Sequence, residues 1–299
     1  MNIIKHRKIF LSISGIFVLA SVAAILFFGL KPGIDFAGGT LWQVKSETGG
    51  QLTVESLKEF FEKDLEVKNL IVYAEPENAS FLARLPHLTE GRHQQYLAAL
   101  KNRFGGIEEL RYETIGPTIG QELRRKAVFA VIMVLLGISL YVAFAFRKVS
   151  YPIKSWKYGV ITLITLFHDA VIPTGFYAFL GWKIGIEIDI NFIVAVLVIV
   201  GFSVHDTIVV FDRIRENLLL AKNRLDLENI VNFSVNQTLA RSVNTSLTLA
   251  LALAALLFVG PASLKYFVLT ILLGTVVGTY SSIFIASPLL TVWHKFSKV

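Results

Sequence analysis

The chain contains no cysteine. No disulfide, thiol nucleophile or thiolate metal site can be built from it. Charge is also scarce. Asp, Glu, Lys and Arg make up 17% of the 299 residues, while 54% are hydrophobic. A soluble domain averages about 25% charged residues, so this composition does not suit a water-soluble surface. Catalytic signatures are missing too. There is no Gly-x-Ser-x-Gly elbow and no His-Glu-x-x-His pair. Ser203, His205 and Asp206 share one stretch, but neighbours on a helix point apart, which speaks against an intramembrane hydrolase. The glycine-rich segment 33–40 has no Lys-Ser/Thr after it and opens no helix N-terminus, which argues against a phosphate loop. The chain reads as a non-enzyme, with no cofactor and no metal site.

What is present instead is a series of apolar runs near the roughly 20 residues needed to span a bilayer. They fall at 9–29, 127–146, 158–180, 190–211, 243–259 and 266–290. The first follows Lys5, Arg7 and Lys8, as in a secretory signal. It is too long for one and has no clean cleavage site, so it reads as a retained span. The formal net charge of +7 is distributed by topology. Lys5, Arg7 and Lys8 precede the first span, Arg147, Lys148, Lys154 and Lys157 join the second to the third, and Lys295 and Lys298 follow the sixth. Such loops face the cytoplasm. The loop with Lys183, Glu187 and Asp189 is balanced, as an outside loop should be. Both termini are therefore expected in the cytoplasm, and nucleic acid is not needed to explain the basic excess.

Only residues 31–122 could fold in water. Strands are expected at 40–45, 69–73, 80–85 (bounded by Pro76 and Pro86) and 107–115. Amphipathic helices are expected at 54–63, with Leu57, Phe60 and Phe61, and at 91–104, with Tyr96, Leu97 and Leu100. The order β-α-β-β-α-β is that of a ferredoxin-like α+β sandwich. The division expected is 1–30 for the N-terminus and first span, 31–125 for the α+β domain, and 126–299 for the remaining five spans. The whole is a mainly α membrane protein with six transmembrane helices. In the joining loop, Gly33, Gly38 and Gly39 permit a sharp turn and close packing, and Asp35 can satisfy turn amides. His87 and His93 read as solvated surface residues.

The chemistry lies in the apolar runs. Asp206 interrupts 190–211, and an ionised carboxylate in hydrocarbon costs several kcal/mol unless it is paired or protonated. With that span ending near 211, Asp206 lies about 7–8 Å inside the boundary. Asp212, Arg213, Arg215 and Glu216 follow as a solvated turn with i,i+3 and i,i+4 ion pairs. Arg241, Asn244, Thr245 and Thr248 recur at helical spacing, share one face, and reach the depth of Asp206. Arg241 either pairs with Asp206 or snorkels to headgroups while the Thr hydroxyls bond back to their own helix. Asp169, near His168, Thr165 and Pro173, is either a second acid on the same route or a packing residue. Gly274, Gly278, Ser281 and Ser282 read as close helix packing. An acid whose hold on a proton depends on the distance to a cation has two states. Proton movement down a membrane potential supplies about 2.3 kcal/mol per charge per 100 mV, enough to bias a rearrangement. A carboxylate among hydroxyls suits H⁺ or Na⁺.

Six stretches together resemble the SecF proteins of the SecD/SecF family, which belongs to the resistance-nodulation-division (RND) superfamily. They are 33–40 (GIDFAGGT), 116–126 (GPTIGQELRRK), 167–174 (FHDAVIPT), 201–217 (GFSVHDTIVVFDRIREN), 237–245 (QTLARSVNT) and 278–288 (GTYSSIFIASP). The resemblance implies an RND half-unit in the bacterial inner membrane and a SecD partner completing a twelve-helix unit. It also implies association with the SecYEG channel and use of the proton-motive force to promote preprotein export. Onto the family's coupling residues it maps Asp206, Arg241 and Thr245. The alternatives are an RND-type proton-coupled exporter of small molecules or lipids, and a structural scaffold for a channel. Six spans and one domain make half of such an exporter.

Overall fold

Within a bilayer each backbone polar group must find its partner inside the chain, so long apolar runs fold as helices. The computed structural model describes residues 2–46, 52–75, 79–147, 153–221 and 226–296. Pro76, Lys148 and Lys298 lie outside them. Among the described residues six helical segments are long and apolar enough to cross a membrane. The first is α1 (Arg7–Phe28), preceded by a single 3₁₀ turn; the later ones are α5 (Pro117–Ala145), α6 (Ser155–Ile184), α7 (Ile190–Ala221) and α8 (Leu227–Val259). The sixth is broken: α9 (Lys265–Ser281) passes through a π-helical turn, Ser282–Ala286, into α10 (Ser287–Phe296).

The helices outrun the apolar stretches. Residues 212–216, expected as a turn, remain helical within α7 and carry the expected i,i+3 pairs, Arg213–Glu216 at 2.9 Å and Arg215–Asp212 at 3.5 Å. Likewise α8 starts at Leu227, well ahead of the apolar run at 243. Asn217 Nδ2 donates to Ser234 Oγ (2.9 Å) and Gln237 Oε1 (3.0 Å), so α7 and α8 continue side by side as an antiparallel pair. Asp189 Oδ1 accepts from the Phe192 amide at 2.8 Å and starts α7.

The chain divides into two compact units, Met1–Lys31 with Phe129–Val299, and Pro32–Val128. In the first, Tyr158, Ile161, Leu166, Val200, Val210 and Phe211 are among the buried side chains that fill the bundle. Helices approach closely where one residue is small. A Cβ on Gly175 of α6 would lie 2.5 Å from Ser21 Cα of α1, and one on Gly278 of α9 would lie 3.0 Å from Ser203 Cβ of α7. At one end of the bundle Arg7 and Lys295 both pair with Glu228, at 2.9 and 2.7 Å.

The second unit is the ferredoxin-like sandwich. It contains a short helix α2 (Ile34–Ala37), then β1 (Gly39–Ser46), α3 (Val54–Glu59), β2 (Ile71–Glu75), β3 (Ser80–Leu85), α4 (Glu90–Phe104) and β4 (Ile107–Ile115). The sheet is antiparallel in the order β2-β3-β1-β4. Thr53 and Ser56 form a capping box at the start of α3, which widens into a π-helical turn at Phe60–Asp64. Trp42, Leu57, Phe61 and Leu100 are fully buried beneath the helices. Gly38 and Gly39 have φ of +75° and +133°, a region that side chains with a Cβ avoid. A Cβ on Gly38 would also lie 2.8 Å from Pro117 Cα. The segment does open a short helix, contrary to expectation: Gly33 is extended at the N-cap of the four-residue α2, and Asp35 stands in its first turn.

One surface assignment is corrected. His87 is exposed, but His93 is buried. Its Nε2 meets Glu109 Oε2 at 2.7 Å and its ring stacks on Tyr112 with centroids 3.6 Å apart.

Candidate functional site

The buried side of α7 presents Ser203, Asp206 and Thr207. Asp206 is 3% exposed, and its Oδ2 has no hydrogen-bond partner. Thr207 Oγ1 and, across on α8, Ser242 Oγ are buried and make no well-formed hydrogen bond either. Buried oxygens without well-formed hydrogen bonds on two adjoining helices are costly, and such groups mark places where a proton, ion or water has work to do. Ser242 stands close enough to act on the Asp206 carboxyl as a hydrogen-bond donor, and His205 and Arg241 act on it as charges. From the linked ends of α7 and α8, Asp206 and Arg241 each lie about 21–23 Å along their helices, so the two are level.

The face that α8 turns inward is not the Arg241 series. Thr238, Ser242 and Ser246, four residues apart, are buried. Ser246 Oγ bonds Thr279 Oγ1 of α9 and the Ser242 carbonyl, the latter at 2.9 Å. Arg241, Asn244, Thr245 and Thr248 share a face, but it is the exposed one. Thr248 Oγ1 bonds back to the Thr245 carbonyl at 2.8 Å. Among the described residues no ion pair joins Arg241 to Asp206. His205 of α7 is exposed too. The inner hydroxyl row was available in the sequence as a second period-four series, one residue out of step with the series chosen. Periodicity cannot say which of two polar faces a helix buries.

Asp169 is fully buried in a separate cluster. Its Oδ1 meets His168 Nδ1 at 2.8 Å; its Oδ2 accepts from Ser203 Oγ and from Ser281 Oγ, the latter at 2.7 Å. His168 Nε2 meets Ser14 Oγ of α1 at 2.9 Å. Ser281, expected to pack, is thus a hydrogen-bond donor to an acid. Gly274 and Gly278 do pack, against Ile199 and Ser203 of α7. Among the described residues no group of three or more His, Asp or Glu could hold a metal ion.

Comparisons with known proteins agree with this architecture. The C-terminal family of the protein export membrane proteins SecD and SecF matches residues 95–296, and the SecD/SecF GG motif matches residues 23–49. The protein translocase subunit SecF of Thermobaculum terrenum is 41% identical over 99% of this chain and 94% of its own length. The SecDF subunit of Bacillus subtilis is 33% identical over 97% of this chain, which spans 37% of that longer protein. The crystal structure of SecDF, a translocon-associated membrane protein from Thermus thermophilus, superposes with a TM-score of 0.83 at 37% identity, covering 99% of this chain and 39% of that one. Six spans, a ferredoxin-like domain after the first and a motif match across most of the length make this chain an RND half-unit that belongs to the SecD/SecF family of protein-export membrane proteins.

Proposed function

We propose that this chain is the SecF-type subunit of a Sec translocase, working with SecD in the inner membrane and using the proton-motive force to promote preprotein export through the SecYEG channel. Its relatives are named as protein translocase subunits, which supports a role in Sec protein translocation. The chain aligns within longer SecDF proteins, which supports SecD as its partner. In this reading both termini are cytoplasmic and the α+β domain stands on the far side of the membrane.

The observation that carries the coupling reading is the coincidence, at one level, of a buried Asp206 whose Oδ2 makes no well-formed hydrogen bond and a polar stripe of Arg241, Asn244, Thr245 and Thr248 that faces out of the bundle. A charge on the buried Asp206 is costly, and the exposed stripe is unstable against lipid. Both are accommodated if a second bundle covers the stripe and Arg241 moves relative to Asp206 as a proton arrives and leaves. The carboxyl holds its proton while the guanidinium is remote and releases it as the guanidinium approaches. The proton's passage down the potential then drives a change in the α+β domain.

The test is Asp206→Asn in membranes containing SecD. Export stimulated by the proton-motive force should fall to the level seen without a gradient, about tenfold or more if the gradient supplies even 1.4 kcal/mol to the limiting step. Insertion and co-purification with SecD should be unchanged. Full stimulation in the variant overturns the proposal. Replacing the proton gradient with a sodium gradient identifies the coupled ion.

A further inference from the structure

Asp169 binds more of the bundle than any other polar side chain described above. Through His168, Ser14, Ser203 and Ser281 its carboxylate joins α6 to α1, α7 and α9. Counting hydrogens shows what the arrangement permits. As a carboxylate, Asp169 accepts from His168 Nδ1 and from two serine hydroxyls. With a proton on Oδ2, it donates to one serine instead. Ser281 can make that exchange without loss, because its hydroxyl already lies 3.0 Å from the Gly278 carbonyl and can turn its hydrogen there. His168 is equally tolerant. With one proton, on Nδ1, its Nε2 accepts from Ser14; as an imidazolium it donates to Ser14. Every group keeps a partner in more than one charge state, whereas a cluster serving only to pack needs one.

Two features of the backbone stand beside the cluster. Pro173 has no N–H to give to the Asp169 carbonyl four residues before it. The π-helical turn of the last span begins at Ser282, directly after Ser281. Both are places where a helix can bend, and π turns recur at functional positions. Ser203, which bonds Asp169 of α6, stands one turn from Asp206 on the buried side of α7, so one turn of α7 separates the two acids' surroundings.

We propose that Asp169 and His168 form a second proton-holding site, separate from Asp206, whose charge state sets how α1 and α9 are held against α6 and α7. The site rests on the coupling reading above only for the source of its proton. The proton taken up adds to Oδ2 of the Asp169 carboxylate, and Ser281 shifts its hydrogen to Gly278; no other covalent bond changes. The groups that face it are His168 on α6, Ser14 on α1, Ser203 on α7 and Ser281 on α9. The Tyr280 phenol, which donates to the Phe10 carbonyl at 3.1 Å, lies near Ser14.

Infrared difference titration of the full chain in phosphatidylethanolamine–phosphatidylglycerol vesicles tests this through the carbonyl stretch of protonated, water-excluded carboxyls. Two such signals are expected. Asp206→Asn removes one. In that background Asp169→Asn removes the other, while Ser281→Ala and His168→Gln, which keep the acid, each move its midpoint by about one pH unit, the size of a lost charge-assisted hydrogen bond. If Asp169→Asn does not insert, the two acid-retaining variants still decide. An Asp206→Asn chain with no titrating interior carboxyl overturns the proposal, and so does a remaining signal indifferent to both Ser281→Ala and His168→Gln. Normal gradient-driven export by Asp206→Asn, with the second signal intact, would sink the coupling reading and leave this site standing.

Discussion

Glu109 Oε2 receives two hydrogen bonds at once, from the Trp42 indole and from His93, both at 2.7 Å. Trp42 and His93 are buried, so one carboxylate serves the indole N–H and the Nε2 of His93, both of which would otherwise be stranded in the core of the α+β domain. A buried donor left unpaired costs about 1–3 kcal/mol. Glu109→Ala should therefore destabilise the domain by about 2–4 kcal/mol. Glu108→Ala, at an exposed neighbouring position, should change stability by less than about 0.5 kcal/mol. Denaturant unfolding of the full chain, followed by tryptophan fluorescence, would report the difference, and equal effects would refute it. This cluster was invisible in the sequence for a physical reason. His93 and Glu109 belong to different elements, and a polar residue whose partner arrives through tertiary packing looks like any surface residue. Asp206 was legible because its cost is local: an acid within an apolar run is anomalous whatever packs beside it.

The helices were legible as apolar runs, but their ends were not. Hydropathy reports where lipid stops, while a helix stops where its capping and packing stop. So α7 runs on to Ala221 and α8 starts at Leu227. Polar continuations such as 212–216 are good helix material once paired at i,i+3. Glycines divide in the same way by what lies opposite. Gly175 of α6 faces the α1 backbone at Ser21, with no room for a methyl group, whereas Gly15 of α1 has open space around its Cα. Gly175→Ala should push α1 away from α6 and cost about 1–3 kcal/mol. Gly15→Ala should be neutral or slightly stabilising, since alanine is favoured over glycine in a helix by up to about 1 kcal/mol. Thermal melts in detergent would separate the two, and the reverse order would show that the α1–α6 approach is not tight. No helical-spacing argument distinguishes these glycines, because the discriminating atoms belong to a different helix.

For the whole molecule, the decisive question is what lies against the outward face of α7 and α8. Phe27 and Phe258 are 85% and 86% exposed, as suits side chains lying in lipid. His205, Arg241, Asn244, Thr245 and Thr248 are also exposed, and they do not suit it. An unshielded cation costs about 2.5–3.5 kcal/mol or more at the bilayer centre and still has a cost at the depth of Arg241, and a row of amide and hydroxyl groups adds to this. A second bundle bearing complementary polar groups removes that cost, while a lipid-facing phenylalanine gains little from being covered. The absence of cysteine makes the distinction directly measurable, because any cysteine introduced is the chain's only thiol. With SecD carrying single cysteines placed in turn along each of its membrane spans, Asn244→Cys and His205→Cys should form disulfide cross-links in native membranes. Phe27→Cys and Phe258→Cys should not. Cross-linking yield at Asn244 should also change when the membrane potential is collapsed, because coupling requires the two bundles to move against each other at this level. A stripe that never cross-links, with phenylalanine positions that do, would mean that the bundles meet elsewhere and that Arg241 lies in the headgroup region, with Asp206 left to another partner.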